Sequence, residues 1–500
     1  MKLGLLTPAF ARGGAEEYVL ALSDWARAGG HEVTVGLPEA EGAAWLAHAL
    51  ERHGIGVAPA GFVPEGQPFT YETFLRNRSA GFKWLRARAV DRAAVVLPFI
   101  DSGGGLVEAT VLAGVPSVVV FQLTVPHNFN GFERLLYTTA RRRGQRFVAV
   151  SRASRDDLRA ALGWLPDAID VVPNSSLRPA TPRGPDWLAA ARAAVRRELG
   201  VPDDGRLVLT VARVHPQKAP EILVEAAAIV SSRRRDVVFV WAGTGDGHPH
   251  GGPVHFIGHR DDVERCLAAA DVFVLPSRYE GTPFAVIEAM AAGRPCVLSD
   301  IGPHRELADH GRHAWLVAVD DAGALASGIE RLLQDRSLAG RLGTTAAGRA
   351  QAFAYGTSFR QLERLLEAAG GAAADESDWP RAPAGPRRRI AIFGAGEGGR
   401  RAFSELQPFM DTVAFLDSAR GKRGECLHGR PVLAPGQVFE LGIDAVVLAS
   451  CWPEEMLAVL TALGYPRDRI ELFPRARLLS PEHDALPESW QEGEWRSPLP

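Results

Sequence analysis

The sequence predicts an α/β protein made of two successive doubly wound, parallel-sheet domains followed by a third, smaller unit of the same type. Three observations predict it. Short apolar runs alternate with amphipathic segments from the first residues to about residue 480, the pattern of strands joined by crossover helices. Composition turns toward proline, arginine, alanine and small polar residues at 175–205 and again at 371–389, as linkers do. A chain of 500 residues also exceeds what one hydrophobic core organises.

The elements follow in order. "KLGLLT" reads as a strand, "AEEYVLALSDWARAG" as a helix and "HEVTVGL" as the next strand; apolar runs then recur at 93–99, 116–122, 146–151 and 169–174. These place a first doubly wound domain at 1–175. The stretch 175–205 is a linker carrying a helix and opens a second domain, 176–372, whose strands are "RLVLTVAR", "DVVFVWAG", "VHFIG", "DVFVLPS", "PCVLSD" and "HAWLVAV". The helix "TSFRQLERLLEAAG", 357–370, is expected to close that domain. A linker at 373–386, a small third domain at 387–480 and a mobile tail at 481–500 complete the expectation.

Composition narrows the function classes. Hydrophobic residues make up 46% and charged residues 23%, ordinary for a globular protein. With 56 basic against 59 acidic residues the net charge is −3, which offers no chain-wide attraction for nucleic acid. Cys266, Cys296, Cys426 and Cys451 lie too far apart for a clustered metal site and are too few for a disulfide scaffold. A reduced cytoplasm is the expected compartment. The opening "MKLGLLTPAF" does not read as a signal peptide, and no stretch reaches the ~18 apolar residues that a membrane helix needs.

The chemistry concentrates in "RYEGTPFAVIEAMAAGRP", 278–295, where seven residues separate Glu280 from Glu288. It follows the strand "DVFVLPS", so 278–282 lie at the C-terminal edge of a parallel sheet, where such sheets bind ligands. Thr282 is suited to an N-cap, Pro283 to the first helical position and Gly293 to the stop, predicting a helix over 283–292. Its N-terminal end suits an anion, and the two carboxylates suit paired sugar hydroxyls. On the same edge, "RVHPQK" places Arg213 and Lys218 after the strand "RLVLTVA", two cations able to neutralise a diphosphate. "ARGGAEEY" opens the first helix with Gly13 and Gly14, which permit close approach to the backbone. Taken singly, each of these features also fits a solvated or capping role.

Together with "GGAEEYVLALSDWARAGGHEVTV", "VAVSRASRDDLRAALG" leading to "IDVVPN", and "VARVHPQKAPEILVEAAA", the stretch 270–306 resembles the retaining, nucleotide-sugar-dependent glycosyltransferases of the GT-B fold, the large group-1 family, family four of the sequence classification. The resemblance covers roughly 1–370. It implies two Rossmann-like domains facing a cleft, the first for the acceptor and the second for the donor. Arg213 and Lys218 would hold the donor diphosphate, Glu280 the transferred sugar and Glu288 the ribose hydroxyls, with backbone contacts from Gly281, Thr282, Pro283 and Phe284. Gly13 and Gly14 would line the cleft from the other side. The diphosphate gains charge as it leaves, and the cations and helix end would stabilise it without a metal. The chain departs from the family pattern in several places. Ala212 and Ala219 stand where glycines are common, Gln122 stands where many members have a histidine with His127 five residues on, and "PNSS" replaces a glycine-containing sequence after Asn174. Gln122 and His127 are both candidates for contacting the sugar.

The expected activity is transfer from a nucleoside-diphosphate sugar to a glycan, lipid-linked or other cell-surface polysaccharide acceptor with retention of configuration, in the cytoplasm or peripherally at the inner face of the cell membrane. The basic stretches 77–92 and 141–146 are explained by solvated helix faces or by contact with anionic headgroups. A non-catalytic nucleotide-sugar-binding partner and a nucleotide-sugar epimerase of the same fold are the alternatives. In the third domain "RRIAIFGAGEGGRRAF" carries Gly394, Gly396 and Gly399 at dinucleotide-fingerprint spacing, and "TVAFLDS" brings Asp417 to the end of the next strand. This unit resembles the small Rossmann-like domains attached to sugar-modifying enzymes and implies a nucleotide-binding or docking module.

Overall fold

The computed structural model of the protein describes residues 1–473 apart from 9–11, 64–70, 100–101, 124–130, 163–167, 180, 182, 246–251, 371–387, 408–409 and 451–452. The chain divides into two compact units. One comprises Met1–Phe69, Thr73–Asn128 and Gly144–Ala372, and the other Thr70–Glu72, Phe129–Arg143 and Ala373–Pro500. The expected 373–386 linker and 481–500 tail lie outside the described residues. Among the described residues no helix is long and apolar enough to cross a membrane.

The larger unit holds two parallel sheets. The first contains β1 (Lys2–Leu6), β2 (Glu32–Leu37), β3 (Gly56–Pro59), β4 (Arg92–Leu97), β5 (Ser117–Phe121), β6 (Arg146–Ala149) and β7 (Asp170–Val171) in the order β3-β2-β1-β4-β5-β6-β7. The second contains β8 (Arg206–Val211), β9 (Val237–Ala242), β10 (Val254–Phe256), β11 (Val272–Leu275), β12 (Cys296–Ser299) and β13 (Trp315–Val317) in the order β10-β9-β8-β11-β12-β13. Every pairing in both is parallel. Each order reverses once, between β1 and β4 and between β8 and β11, so each sheet opens a crevice at its carboxyl edge there. The short edge strand β3 gave no sequence signal, because "GVAP" has no alternation and ends on proline.

Apolar runs fill both faces of the second sheet. Leu207, Leu209, Phe273 and Leu275 pack on one face with Val286, Ile287 and Met290. Val208, Val272 and Val274 pack on the other with Leu223, Ala227 and Ile329. This two-sided burial is why the strands read as continuous rather than alternating apolar runs. The helix Pro185–Glu198, inside the expected linker, buries Val195 in the first of these clusters.

The helix expected to close the second domain instead belongs to the first core. Thr357–Ala368 buries Phe359, Leu362 and Leu366 among Leu3, Leu5, Tyr18 and Val96. Tyr18 and Phe359 meet edge to face at 5.5 Å, and Ser358 Oγ lies 2.7 Å from Ser175 Oγ. Periodicity reveals that a helix has an apolar face, but not which core receives it. A second strap runs the other way. Glu306 accepts the amides of Arg152 and Ala153 at 2.9 and 2.8 Å, capping the first-domain helix Arg152–Leu162.

The smaller unit contains β14 (Arg388–Phe393), β15 (Met410–Leu416), β16 (Cys426–Leu427), β17 (Arg430–Leu433), β18 (Ala445–Leu448) and β19 (Ile470–Leu472), ordered β16-β17-β15-β14-β18-β19. Five of its strands, β17, β15, β14, β18 and β19, form a parallel Rossmann-like core, and β16 adds one antiparallel strand at the edge against β17.

One family departure carries a conformational cost. Ala219, fully buried between the 3₁₀ turn Pro216–Lys218 and the helix Pro220–Arg233, adopts φ +51° and ψ 56°. A left-handed alanine costs roughly 1–2 kcal/mol, and glycine's greater freedom in the unfolded chain takes back part of the gain from replacing it. Ala219→Gly is therefore expected to raise unfolding stability by about 0.5–1 kcal/mol in urea titration. A loss of stability would show that its methyl packing outweighs the strain.

Candidate functional site

The two switch points meet in one cleft of about 1630 Å³. The loop after β8 brings Arg213, His215 and Lys218, and the loop after β11 brings Glu280, Gly281 and Thr282. From the first domain come Gly13 and Gly14 after β1, Gln122 after β5 and Asn174 after β7.

Lys218 and Glu280 form the centre. Lys218 Nζ lies 2.5 Å from Glu280 Oε1, with side-chain exposures of 14% and 5%. Ser277 Oγ donates to the same oxygen at 2.6 Å, and Gln217 Nε2 approaches Oε2 at 3.4 Å while donating to Tyr279 O at 2.9 Å. Arg278 braces the two loops: it donates to Pro216 O at 2.6 Å and pairs with Glu221 and Asp320. Arg213, by contrast, has no hydrogen bond or ion pair among the described residues, so its guanidinium is available to a ligand.

The expected glycines serve the approach of the two domains. A Cβ on Gly13 would lie 3.7 Å from Arg213 Nε, and one on Gly14 would lie 3.3 Å from the Phe284 ring. At Gly281 a Cβ would lie 2.0 Å from Gln122 O and 2.8 Å from Val150 Cγ2. Only glycine fits there. Next to it, the hydroxyl of Thr282 donates to Val150 O, and Asn174 Nδ2 donates to Thr282 O at 3.1 Å and to Gln122 Oε1 at 3.0 Å. Thr282 is therefore an interdomain link rather than the expected N-cap. Pro283 takes the cap position without a side-chain bond, and the helix runs Phe284–Ala291. Gly293, at φ +66°, follows the helix end as expected.

Glu288 lies on the fifth residue of that helix, partly buried at the cleft wall. Its desolvation pushes the carboxyl up from the ordinary 4.5 to about 7; Arg178 opposes the rise and Glu17 adds to it. Gln122 Nε2 and Asn174 Oδ1 are buried with no hydrogen-bond partner. His127 lies outside the described residues.

In the smaller unit the glycine turn is tightly built. Gly394 has φ +117°, and a Cβ on Gly399 would lie 1.7 Å from Gly394 O. Gly396 has Lys422 Nζ 3.8 Å from its would-be Cβ. Asp417 is engaged by the turn itself, accepting from Ala395 N at 2.9 Å, Ala419 N at 2.8 Å and Lys422 Nζ at 3.3 Å. Burial pushes its carboxyl up, but those amides and the ammonium outweigh burial and hold it below the usual carboxylate range.

Asn174, Ser277, Gln217 and Glu306 were not identified as site or linking residues from sequence. Their partners are 108, 3, 63 and 154 positions away, and only the Ser277–Glu280 spacing offered a local signal.

Residues 13–175 match the model of the glycosyl transferase 4-like domain, and 205–335 match that of glycosyl transferases group 1. The D-inositol 3-phosphate glycosyltransferase of Streptomyces avermitilis is 32% identical over 191 residues, covering 34% of this chain and 41% of that protein. The UDP-Gal:α-D-GlcNAc-diphosphoundecaprenol α-1,3-galactosyltransferase of Escherichia coli is 27% identical over 253 residues, covering 46% and 63%. The chain thus spans less than two thirds of the length of these relatives. A glycosyltransferase from Rickettsia africae superposes with a TM-score of 0.62 at 18% identity, over 73% of this chain and 98% of that one. Anabaena HepE, solved with UDP and glucose, gives 0.59 at 22% over 73% and 99%.

Because folded Glu288 holds its proton above the unfolded value, the native state carries the extra proton between about pH 4.5 and 7. Stability contributed by this group is full below that window and falls as pH rises through it. Glu288→Gln is expected to gain roughly 2 kcal/mol relative to the unsubstituted protein between pH 5 and pH 8 in denaturant titration. A constant difference between the two proteins across that range would contradict the assignment.

Proposed function

The chain belongs to the group-1 glycosyl transferases and has the GT-B fold, and on that premise we propose that it moves a glycosyl group from a nucleoside-diphosphate sugar to a hydroxyl of a glycan or lipid-linked acceptor, with retention of configuration and without a metal ion. The observation that carries the proposal is Arg213, unpaired among the described residues, beside the Lys218–Glu280 pair at one switch point. A free guanidinium next to an ammonium with donors to spare suits a diphosphate.

In this proposal Arg213 and Lys218 hold the diphosphate, and the start of the helix Phe284–Ala291 adds its amides. As the bond from the anomeric carbon to the diphosphate oxygen breaks, the charge growing on that oxygen is met by these groups. The acceptor oxygen attacks from the same face, and its proton passes to the departing phosphate oxygen. Glu280, held by Lys218 and Ser277, orients the transferred sugar, while Glu288 meets the ribose hydroxyls. Gln122 lines the cleft from the first domain and is the proposed contact to the transferred sugar there. Gly281, Thr282, Pro283 and Phe284 form the donor-side wall, and Gly13 and Gly14 form the facing one.

The acceptor is proposed only by class, since the two relatives are named for an inositol phosphate and a diphosphoundecaprenol-linked sugar. Peripheral membrane contact draws limited support from 77–92. Arg78 lies 3.6 Å from Glu108, Arg88 stacks on Trp84 at 4.8 Å and Arg92 donates to Leu366 O at 3.1 Å, so these three cations are engaged within the protein. For the third domain we propose a nucleotide-binding or docking role on the Gly394, Gly396 and Gly399 turn.

The two cations separate chemistry from folding. Arg213→Ala is expected to lower transfer from a labelled nucleotide sugar at least about 100-fold with an unchanged melting temperature. Lys218→Ala is expected to abolish transfer and also to destabilise the fold by about 3 kcal/mol, because it leaves Glu280 buried and unpaired. Near-normal turnover by Arg213→Ala would overturn the proposal.

A further inference from the structure

We propose that His215 is a third ligand of the donor diphosphate, donating from Nε2–H and taking up a proton when the diphosphate binds. The inference rests on the donor-site reading above and adds to it a residue that the family spacing does not single out. His215 lies in the loop between Arg213 and Lys218, partly buried, on the cleft wall. Its Nδ1 accepts the amide of Gln217 at 3.2 Å and so caps the turn Pro216–Lys218. An Nδ1 that accepts has no proton of its own, so the neutral ring carries its proton on Nε2. Nε2 has no partner among the described residues. The turn thus fixes both the tautomer and the ring, and leaves one donor for the cleft.

The surrounding charges make this donor responsive. Arg213 and Lys218 flank it on its own loop, with Glu280 neutralising Lys218. Arg278 touches the loop at Pro216 O with Glu221 and Asp320 behind it, and Glu16 lies across the cleft beside Gly13. Burial, then Arg213 and Lys218, hold the imidazole below its ordinary value, keeping it neutral. A diphosphate placed among these cations reverses the sign of the local field. Protonation then becomes favourable, although the Nδ1 cap must turn or yield as that nitrogen gains its proton.

The test is calorimetric titration with UDP, GDP and ADP near pH 7, in buffers of differing ionisation enthalpy, on the full chain and on His215→Asn and His215→Ser. Both substitutions keep a side-chain cap for the turn, and melting curves establish that each variant is folded. The expected result is net proton uptake larger in the unsubstituted protein than in either variant, by up to one proton per site, with affinity roughly tenfold weaker in the variants. Equal affinity and equal proton exchange in all three proteins would overturn the role of His215 while leaving the donor site intact. If no diphosphate binds the unsubstituted protein, the donor-site reading itself fails and this inference falls with it.

Discussion

Lys218 and Glu280 meet at 2.5 Å where the ends of β8 and β11 diverge, and the order of the cleft depends on that largely buried pair. Burying two charges is costly unless their remaining hydrogen-bonding capacity is met. Here Ser277 and Gln217 complete the carboxylate, and Arg278 ties the two loops together from outside. The pair therefore holds the Glu280 carboxylate in one position. Arg213, at the other end of the same six-residue stretch, has no hydrogen bond or ion pair among the described residues, so paired and unpaired cations are separated along one loop.

The same loop region is fastened to the first domain. Gly281 lies against the Gln122 carbonyl, Thr282 reaches Val150, and Asn174 bridges Thr282 and Gln122. Glu306 and the helix Thr357–Ala368 provide further links, one through a helix N-terminus and the other through a shared apolar core. Residues of both domains are consequently positioned by one network. A substitution at Gly281 or Asn174 should disturb both walls of the cleft, as groups in one hydrogen-bonded set do not act independently.

Much of this was legible in the sequence. Continuous apolar strand runs identified the parallel sheets because both sheet faces are covered, and turn chemistry around Gly293 identified the end of the helix carrying Glu288. The positions of Arg213, Lys218 and Glu280 at strand ends followed from the same pattern. What was not legible depends on contacts between distant residues. The destination of the helix Thr357–Ala368, the switch of Thr282 from cap to interdomain link, and the capping by Glu306 each depend on a partner over 100 positions away. The strain at Ala219 was also hidden, since alanine for glycine looks small until its φ of +51° is known.

The central claim is that the cleft holds a nucleoside diphosphate against Arg213 and Lys218. A crystal structure of the protein soaked with UDP, GDP or ADP tests it directly. The account predicts diphosphate density within hydrogen-bond distance of both side chains, with the ribose at Glu288. A bound nucleotide confined to the Gly394, Gly396 and Gly399 turn, with this cleft empty, would contradict it.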